Sequence, residues 1–584
     1  MKFPPSTRPQ QASDPPPVAR ARDLLSPLTL SLAAAAIIFA VFAAYSPTLN
    51  YQFILDDHRF VNDPRVQTAG HVWDYFTNYV WAQFTGGPSS FYRPVFILWM
   101  RLNFILSEMS FWGWHLLSIL KHLLAAILLG LLAWKLLRDR TAALLAATLF
   151  ALHPAQTESV AWVTVPDPLM SVAMLGSVLL YLKYADSVSA NAATLAAKSS
   201  RKIRKASHAR GESQSSFGWL IASAFLCLTA LFVKETAIVL LPILFALTLL
   251  VSSEEASKRS NGEGVGPGAI LLAAFRRTLP FWCVTLIYFL LRFSALGSGA
   301  LGARTQNLPL STVLLSAPAI LWFYVKVLLW PVRIYAFADP LEISTFSVRG
   351  VLLPGLGVGC AVILLAWGSI WAWRKARRNL PDREAVGVEC ALVLGWLTLL
   401  LPILLTLNLN VLNPGDFLHG RYTYLPLAGL MLLLATVWQL TEELRIPLLL
   451  AAGLLAITFA VFTVEQESIW KDDLTVFTVA HEIAPHNAPV ALNLARAHVQ
   501  AAIALGDAGH CDEAVPTFIE VIREYPQDWF AWAGLGQCQL ELNDLPKAEQ
   551  SLHRAVELSH DPRMTHEWQE LRAQMGLSTS SPPK

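Results

Sequence analysis

The chain has 584 residues, of which 54% are hydrophobic and only 15% charged, with a formal net charge of +2 at pH 7. Soluble globular domains carry about 25% charged residues, so this chain has too little polar surface to fold entirely in water. The near-neutral balance argues against a nucleic-acid partner. The basic residues inform by position instead, as markers of the cytoplasmic side of a membrane.

Residues 1–25, rich in Pro, Gln, Ser and Arg, cannot build a core and read as a disordered cytoplasmic tail. The first apolar stretch, roughly 27–46, is long for a signal peptide and many others follow, so it reads as a retained span. It leads into a polar loop, 47–92, which lies outside by the positive-inside rule. A short amphipathic piece, 93–107, is expected in the interface, and the span 114–137 ends inside at Lys135, Arg138 and Arg140. Spans near 141–153 and 159–184 return to the most basic loop, Lys198 to Lys205. Spans 217–233 and 236–251 flank Lys234 and Glu235, and another covers 272–296.

The segment 313–332 is apolar enough to cross, but counting it would place Arg374, Lys375, Arg377 and Arg378 outside. Treated as re-entrant or interfacial, it joins an external loop, 297–350, and spans at 351–373, 388–406, 421–440 and 445–463 follow. The expected fold is all-α: a polytopic transmembrane domain over 26–463 with about 11 spans, then an extracytoplasmic α-solenoid of tetratricopeptide (TPR) repeats over 464–575 and a disordered tail, 576–584.

The repeat assignment rests on spacing. Trp532, Leu535, Gly536, Ala548, Leu552 and Ala555 match the helix-turn-helix pattern of the roughly 34-residue TPR, and Ala514, Phe518, Val521 and Pro526 match the second half of the preceding repeat. Leu494 and Ala495 fall about seven residues early, which predicts a longer first helix. Such arrays present a concave groove that commonly takes peptides, although so short an array also suits a structural cap. Cys511 and Cys538 lie in this domain, either as two unpaired core thiols or, outside the cytoplasm, as a disulfide; Cys227, Cys283, Cys360 and Cys390 lie in apolar segments.

Ionisable groups at membrane depth are costly and by default mark a functional site. The candidates are Asp56 and Asp57, Arg93, His153 and Glu158, Lys234 and Glu235, and Arg421, and on this topology all fall at external ends of spans or on external loops. Asp56 and Asp57 suit a general base with an acidic neighbour; a solvated turn with Asn62, Asp63 and Pro64 is the plainer alternative. Arg421 suits a phosphate, which a guanidinium grips with two hydrogen bonds, or else anchors the interface beside Tyr422 and Tyr424. Lys234 with Glu235, and His153 with Glu158, could each be simple local pairs. No His or Cys cluster has zinc-ligand spacing, a divalent metal stays open without a motif to support it, and no phosphate-binding glycine loop or nucleophile elbow occurs.

Taken in order, several motifs resemble those of the GT-C superfamily of membrane glycosyltransferases, in particular the transmembrane-and-TPR O-mannosyltransferases and their bacterial relatives. They are Asp56-Asp57 with Asn62; Tyr92-Arg93-Pro94 with Leu102-Asn103; His115 and His122; and Leu152-His153-Pro154 with Thr157 to Trp162. Lys234-Glu235, Leu329-Trp330-Pro331, Arg421-Tyr422 with Tyr424-Leu425-Pro426, and Trp470 complete the series. The resemblance covers nearly the whole chain from about residue 27. It departs after Trp162, where Val163-Thr164-Val165-Pro166-Asp167 lacks the Gly and basic residue expected before the acidic position, and the repeat array is short beside those of animal members.

The resemblance implies a glycosyltransferase that takes a hexose, mannose in the family, from a polyprenyl-phosphate donor to a protein Ser/Thr hydroxyl on the extracytoplasmic side. Asp56, with Asp57 as acidic neighbour, would be the catalytic carboxylate; Arg421, Lys234 and Arg93 would hold the lipid phosphate. Arg59, His153, Glu158, Asp167, Glu235 and His419 would line the same cavity. A phosphodiester leaving group needs cations more than a general acid, so one base and a basic cradle suffice, unlike the paired carboxylates of glycosidases. The acceptor would be a protein or peptide, held by the repeats. The Ala-, Leu- and Arg-rich composition favours a bacterial inner membrane over an endoplasmic reticulum. Two other readings are a scaffold that recruits partners through its repeats and a transporter or lipid flippase. The external grouping of charges tells against the first, and the lack of mid-membrane charges or an inverted repeat against the second.

Overall fold

The computed structural model describes residues 27–82, 90–200, 208–259, 266–301, 306–331, 341–412, 418–485, 487–505, 509–524, 526–559 and 562–577. The expected N-terminal tail, the basic run beyond Ser200 and nearly all of the C-terminal tail lie outside these residues. All regular structure among the described residues is helical. The long elements of the first domain are α1 (Pro27–Tyr45), α2 (Pro94–Ser107), α3 (Phe111–Leu137), α4 (Arg140–Ala151), α5 (Asp167–Ser200), α6 (His208–Val233) and α7 (Leu240–Arg259). They continue with α8 (Pro267–Leu296), α9 (Leu310–Leu329), α10 (Leu353–Asn379), α11 (Asp382–Leu405), α12 (Tyr424–Leu440) and α13 (Arg445–Glu467).

Among the described residues ten helices are long and apolar enough to cross a membrane, which makes this an integral membrane protein. Two anchors define the ends of the bundle. At one end α3 stops on Arg138, whose φ of 57° is the left-handed C-cap geometry, and α4 starts at once because the Asp139 carboxylate accepts from Thr141 N and Ala142 N, both at 3.0 Å. Arg445, at the start of α13, reaches the same Asp139 at 3.4 Å. The other end, here the site end, carries His153, Lys234 and Arg421.

Helix α9 does not run between these ends. Leu308, just before it, donates its N–H to the Asn410 side chain at 2.7 Å, and Leu328, near its C-terminus, accepts from His153 Nε2 at 3.2 Å. Asn410 follows the site end of α11 and His153 follows the site end of α4, so both ends of α9 rest on the site face. Removing α9 from the ten leaves nine passes; α4 and the apolar part of α6, Phe217–Val233, are shorter passes that bring the total to eleven among the described residues. One boundary differs from expectation: 159–166 is not part of a span. The short helix Thr157–Ala161 ends there, and α5 starts only at Asp167, between Pro166 and Pro168.

Without water to drive them together, membrane helices pack where small residues allow close approach. Helices α11 and α12 meet at Gly395 and Gly429, where a Cβ on Gly429 would lie 2.5 Å from the Gly395 carbonyl oxygen and 2.6 Å from Leu399 N.

The C-terminal domain is a stack of TPR-type helix pairs: α14 (Asp473–Ile483), α15 (Ala488–Leu505), α16 (Gly509–Glu524), α17 (Trp529–Glu541), α18 (Leu545–Ser559) and α19 (Pro562–Gln574). Helix α15 has 18 residues against 13 in α17, the extension that the spacing of Leu494 and Ala495 required. The small positions are there for packing: a Cβ on Gly536 would meet Leu552 at 2.7 Å. Cys511 and Cys538 are both buried free thiols in one core cluster.

Candidate functional site

The site is organised by the segment 152–166, which follows α4. Helix α4 has only 12 residues, about 18 Å, against 27 in its neighbour α3. The segment is therefore recessed. His122 Nε2–H donates to the Ala151 carbonyl at 2.9 Å, Ser118 Oγ donates to Val160 O at 2.7 Å and Lys121 Nζ to Val163 O at 3.4 Å. These partners sit 7 to 11 residues inside the N-terminus of α3, about 10–16 Å below its end. His122 Nδ1 then accepts from Tyr424 OH at 2.8 Å, which fixes its tautomer.

Glu158 is fully buried and gathers the C-terminal half of the site. His419 Nδ1–H donates to its Oε1 at 2.9 Å, Arg421 N to its Oε2 at 3.0 Å and Arg421 Nη1 to Oε1 at 3.3 Å. Burial opposes its charge, but His419 and Arg421 prevail and hold the carboxyl below the usual carboxylate range. The Arg421 guanidinium also faces the rings of Trp162, 4.8 Å away, and Tyr422, 5.3 Å away.

A second ion pair lies beside it. Lys234 Nζ donates to both oxygens of Asp167, at 2.7 and 2.6 Å, and sits 5.0 Å from the Tyr422 ring centroid. Burial lowers the ammonium's pKa, the Asp167 charge opposes that, and the nearby Arg93 and Arg421 guanidiniums add to it. Arg93 Nε and Nη2 in turn donate to Glu235 Oε2 at 3.0 and 2.8 Å, while Arg292 Nη1 approaches Glu235 Oε1 at 3.5 Å. Four cations, Arg93, Lys234, Arg292 and Arg421, thus face three carboxylates, Glu158, Asp167 and Glu235, in one recess among the described residues.

The first loop closes the other side. Far from a solvated turn, it has its own core of Phe53, Phe60, Val61, Val66, Tyr75 and Val80 against Phe96, Met100 and Trp114, and Asp63 pairs with Arg65 inside it at 2.6 Å. The adjacent carboxylates diverge. Asp57 is fully buried: its Oδ1 accepts from Thr164 N at 3.1 Å and Thr164 Oγ1 at 2.7 Å, and its Oδ2 accepts from Ile54 N at 3.2 Å. Burial pushes this carboxyl up to about 7 against the pull of those three donors. Asp56 is half-buried. The preceding Leu55 has a φ of 52°, a left-handed conformation that costs a non-glycine residue about 1–3 kcal/mol.

Thr164, which anchors Asp57, is two residues from Trp162, which supports Arg421. Two residues span at most about 7 Å, so the acidic turn and the basic recess meet on one face of the bundle. Every residue singled out from the sequence lies at the site end, but with different neighbours than simple adjacency suggests. Lys234 does not pair with Glu235, nor His153 with Glu158. His153 is buried, with Nδ1 accepting from Ala155 N at 3.2 Å and Nε2–H directed at Leu328 O, and burial pushes it down to about 3. It caps a turn and ties down α9. Arg59 is exposed, its guanidinium 5.8 Å from the Trp81 ring. The sequence did not single out Arg292 and Lys121, whose signal was a cation inside an apolar span, and it presented Trp162 and Thr164 only within motifs, without a role for either.

The tetratricopeptide-repeat family matches residues 499–561. The human protein O-mannosyl-transferase TMTC1 is 26% identical over 538 residues, covering 86% of this chain and 56% of the relative. The Drosophila melanogaster protein O-mannosyl-transferase Tmtc1 is 26% identical and covers 76% of this chain and 57% of its own; the mouse TMTC3 is 23% identical, with 89% and 54% covered. The chain spans about half the length of the curated relatives it matches. Among solved structures, the Archaeoglobus fulgidus oligosaccharyltransferase AglB, with an inhibitory peptide and a dolichol-phosphate, has a TM-score of 0.35 at 12% identity, covering 80% of this chain and 58% of its own. ArnT from Cupriavidus metallidurans, bound to undecaprenyl phosphate, has a TM-score of 0.34 at 12% identity, covering 90% and 79%. Both likenesses are too distant to carry an argument. Along most of its length, then, this chain is similar to curated protein O-mannosyl-transferases, with a tetratricopeptide-repeat match in its C-terminal domain.

Proposed function

We propose that the protein is a glycosyltransferase that moves a hexose, mannose by analogy with its relatives, from a polyprenyl-phosphate donor to a Ser/Thr hydroxyl of a polypeptide on the extracytoplasmic face. The observation that carries this reading is the meeting of the Asp56 turn with the recess of Arg93, Lys234, Arg292 and Arg421 around residues 157–167. The relatives, named as protein O-mannosyl-transferases, support the sugar and the acceptor class.

In this reading Asp56 accepts the proton of the acceptor hydroxyl as its oxygen attacks the anomeric carbon. The bond from that carbon to the phosphate oxygen breaks, the electron pair leaves with the polyprenyl phosphate, and the configuration inverts. Arg421 and Lys234, with Arg93 behind them, stabilise the phosphate as it acquires its second negative charge. Asp57, locked inward, orients the turn. The site end is the extracytoplasmic one, because Arg374, Lys375, Arg377 and Arg378 lie at the opposite end of α10. The repeats, which leave α13 at the site end, stand beside the site and hold the acceptor; a bacterial inner membrane suits the composition. A passive scaffold has no use for seven ionised groups in a recess. The test is transfer by the purified full chain from a polyprenyl-phosphate mannose to a threonine peptide. Asp56→Asn and Arg421→Ala are both expected to lose at least about a hundredfold in rate; wild-type rates in both variants would overturn the reading.

A further inference from the structure

The repeat domain does more than follow the membrane domain in sequence. Its first helix, α14, starts beside the acidic turn, and Asp473 at its first position contacts that turn twice. Its Oδ1 accepts from Leu55 N at 2.8 Å and its Oδ2 lies 2.9 Å from His58 Nε2, contacts that bridge 418 and 415 positions of sequence. The two contacts straddle Asp56 and Asp57. The adjoining backbone is joined as well, Gln52 N donating to Lys471 O at 2.9 Å.

We infer that Asp473 is a positioning residue for transfer, a carboxylate lent by the repeat domain that holds the turn bearing Asp56 in its working conformation. Leu55 is the reason that such a clamp is needed. Its left-handed backbone is the bend that leads into Asp56, which stays half-buried, and Asp57, which points into the protein onto Thr164 and Ile54. A leucine does not hold that conformation by preference, so its N–H needs a fixed acceptor. Asp473 supplies one that is itself fixed: the preceding Asp472 caps α14 by accepting from Thr475 N at 2.8 Å. A helix N-terminus also favours a carboxylate over a carboxylic acid. The second contact adds charge, since the hydrogen bond that His58 donates to Asp473 raises the His58 pKa, burial opposing it. The hinge is further fixed by Trp470, whose ring stacks on Trp162 at 6.1 Å and 21°.

This inference rests on the reading of Asp56 as base, and two variants separate them. Asp473→Ala removes both contacts. Asp473→Asn keeps an acceptor for Leu55 N and offers an N–H to neutral His58. In the full chain, with a polyprenyl-phosphate mannose and a threonine peptide, Asp473→Ala should lower kcat at least about tenfold, the cost of a misplaced reacting group, while KM for the donor stays unchanged. Asp473→Asn should restore kcat at pH 8 and lose it at lower pH, where His58 carries a proton. Hydrogen–deuterium exchange over residues 52–60 should rise in Asp473→Ala and not in Asp473→Asn, with exchange around Arg421 unaltered. Unchanged kcat and unchanged exchange in Asp473→Ala, with Asp56→Asn inactive, would overturn the clamp and leave the proposed function standing. An active Asp56→Asn would overturn the proposed function, and the exchange result would still decide the clamp.

Discussion

The guanidinium of Arg421 rests on the indole of Trp162, 4.8 Å from the ring centroid, while its backbone and its Nη1 are held by Glu158. The arginine proposed to meet a lipid phosphate is thereby fixed on two sides and need not be ordered by the ligand. A cation over an indole is worth about 0.5–2 kcal/mol. Trp162→Ala should therefore raise the donor KM about tenfold and leave the acceptor KM unchanged, with Trp162→Phe intermediate, in steady-state assays of the purified chain. Equal donor KM values in all three proteins would show that the ring has no part in holding the guanidinium.

Glu158, fully buried, accepts hydrogen bonds from both His419 and Arg421. Removing one partner of a buried ion pair typically costs about 3–5 kcal/mol, because the other charge is stranded. Glu158→Ala should lower the thermal unfolding midpoint in detergent by several degrees, and Glu158→Gln, which keeps one acceptor oxygen, should lower it less. The order of the three midpoints is the check.

Lys234 and Asp167 are joined at 2.6 Å with side chains only 7% and 5% exposed. Lys234→Met alone and Asp167→Asn alone should each destabilise by about 3 kcal/mol, whereas the double variant should cost less than the sum by more than about 1 kcal/mol. Additive losses in the double-mutant cycle would mean that the pair is not energetically coupled.

Asp57 carries a pH dependence of stability whose sign is opposite to that of most carboxylates. Its pKa is about 7 in the folded chain and about 3.9 when unfolded. The folded state therefore holds the extra proton between those values, and stability contributed by this group falls as pH rises from about 4 to about 7, then levels. Denaturation midpoints of the wild type relative to Asp57→Asn should decline across that interval. A difference that is flat or rises with pH would contradict the burial of this group.

The contact between α11 and α12 can be tested with one methyl group. Gly429→Ala would press a Cβ against the Gly395 carbonyl and Leu399 N, backbone atoms that cannot swing away, and should destabilise by about 1–3 kcal/mol or more. Gly453→Ala, whose Cβ meets nothing within 4 Å, is the control and should leave the midpoint unchanged.

Much of the architecture was legible because lipid and water impose coarse rules. Apolar runs marked the passes, and the small residues at Gly536 and Ala548 fixed the repeat register. The location of the site was legible for the same reason, since ionisable groups collected at one end of the bundle. Its pairings were not. Lys234 and Glu235 are neighbours in sequence, but Lys234 is extended at φ −156° and ψ 137°, between the end of α6 and the turn beginning at Glu235. Their side chains part, one toward Asp167 and the other toward Arg93. Asp473 has no sequence feature that links it to the acidic turn, and only the tertiary structure brings it to Leu55. Trp162 and Thr164 have no charge or periodicity to announce them.

The shortness of α4 has a consequence for the reaction proposed here. Because the polypeptide that follows it turns about 10–16 Å below the rim of α3, a donor must lower its sugar into the protein while its isoprenoid tail stays among the lipids. Bulk water is the most abundant hydroxyl nucleophile available, and a sugar seated at that depth is shielded from it. The shallow helix thus favours passing the glycosyl group to a polypeptide over squandering it by hydrolysis.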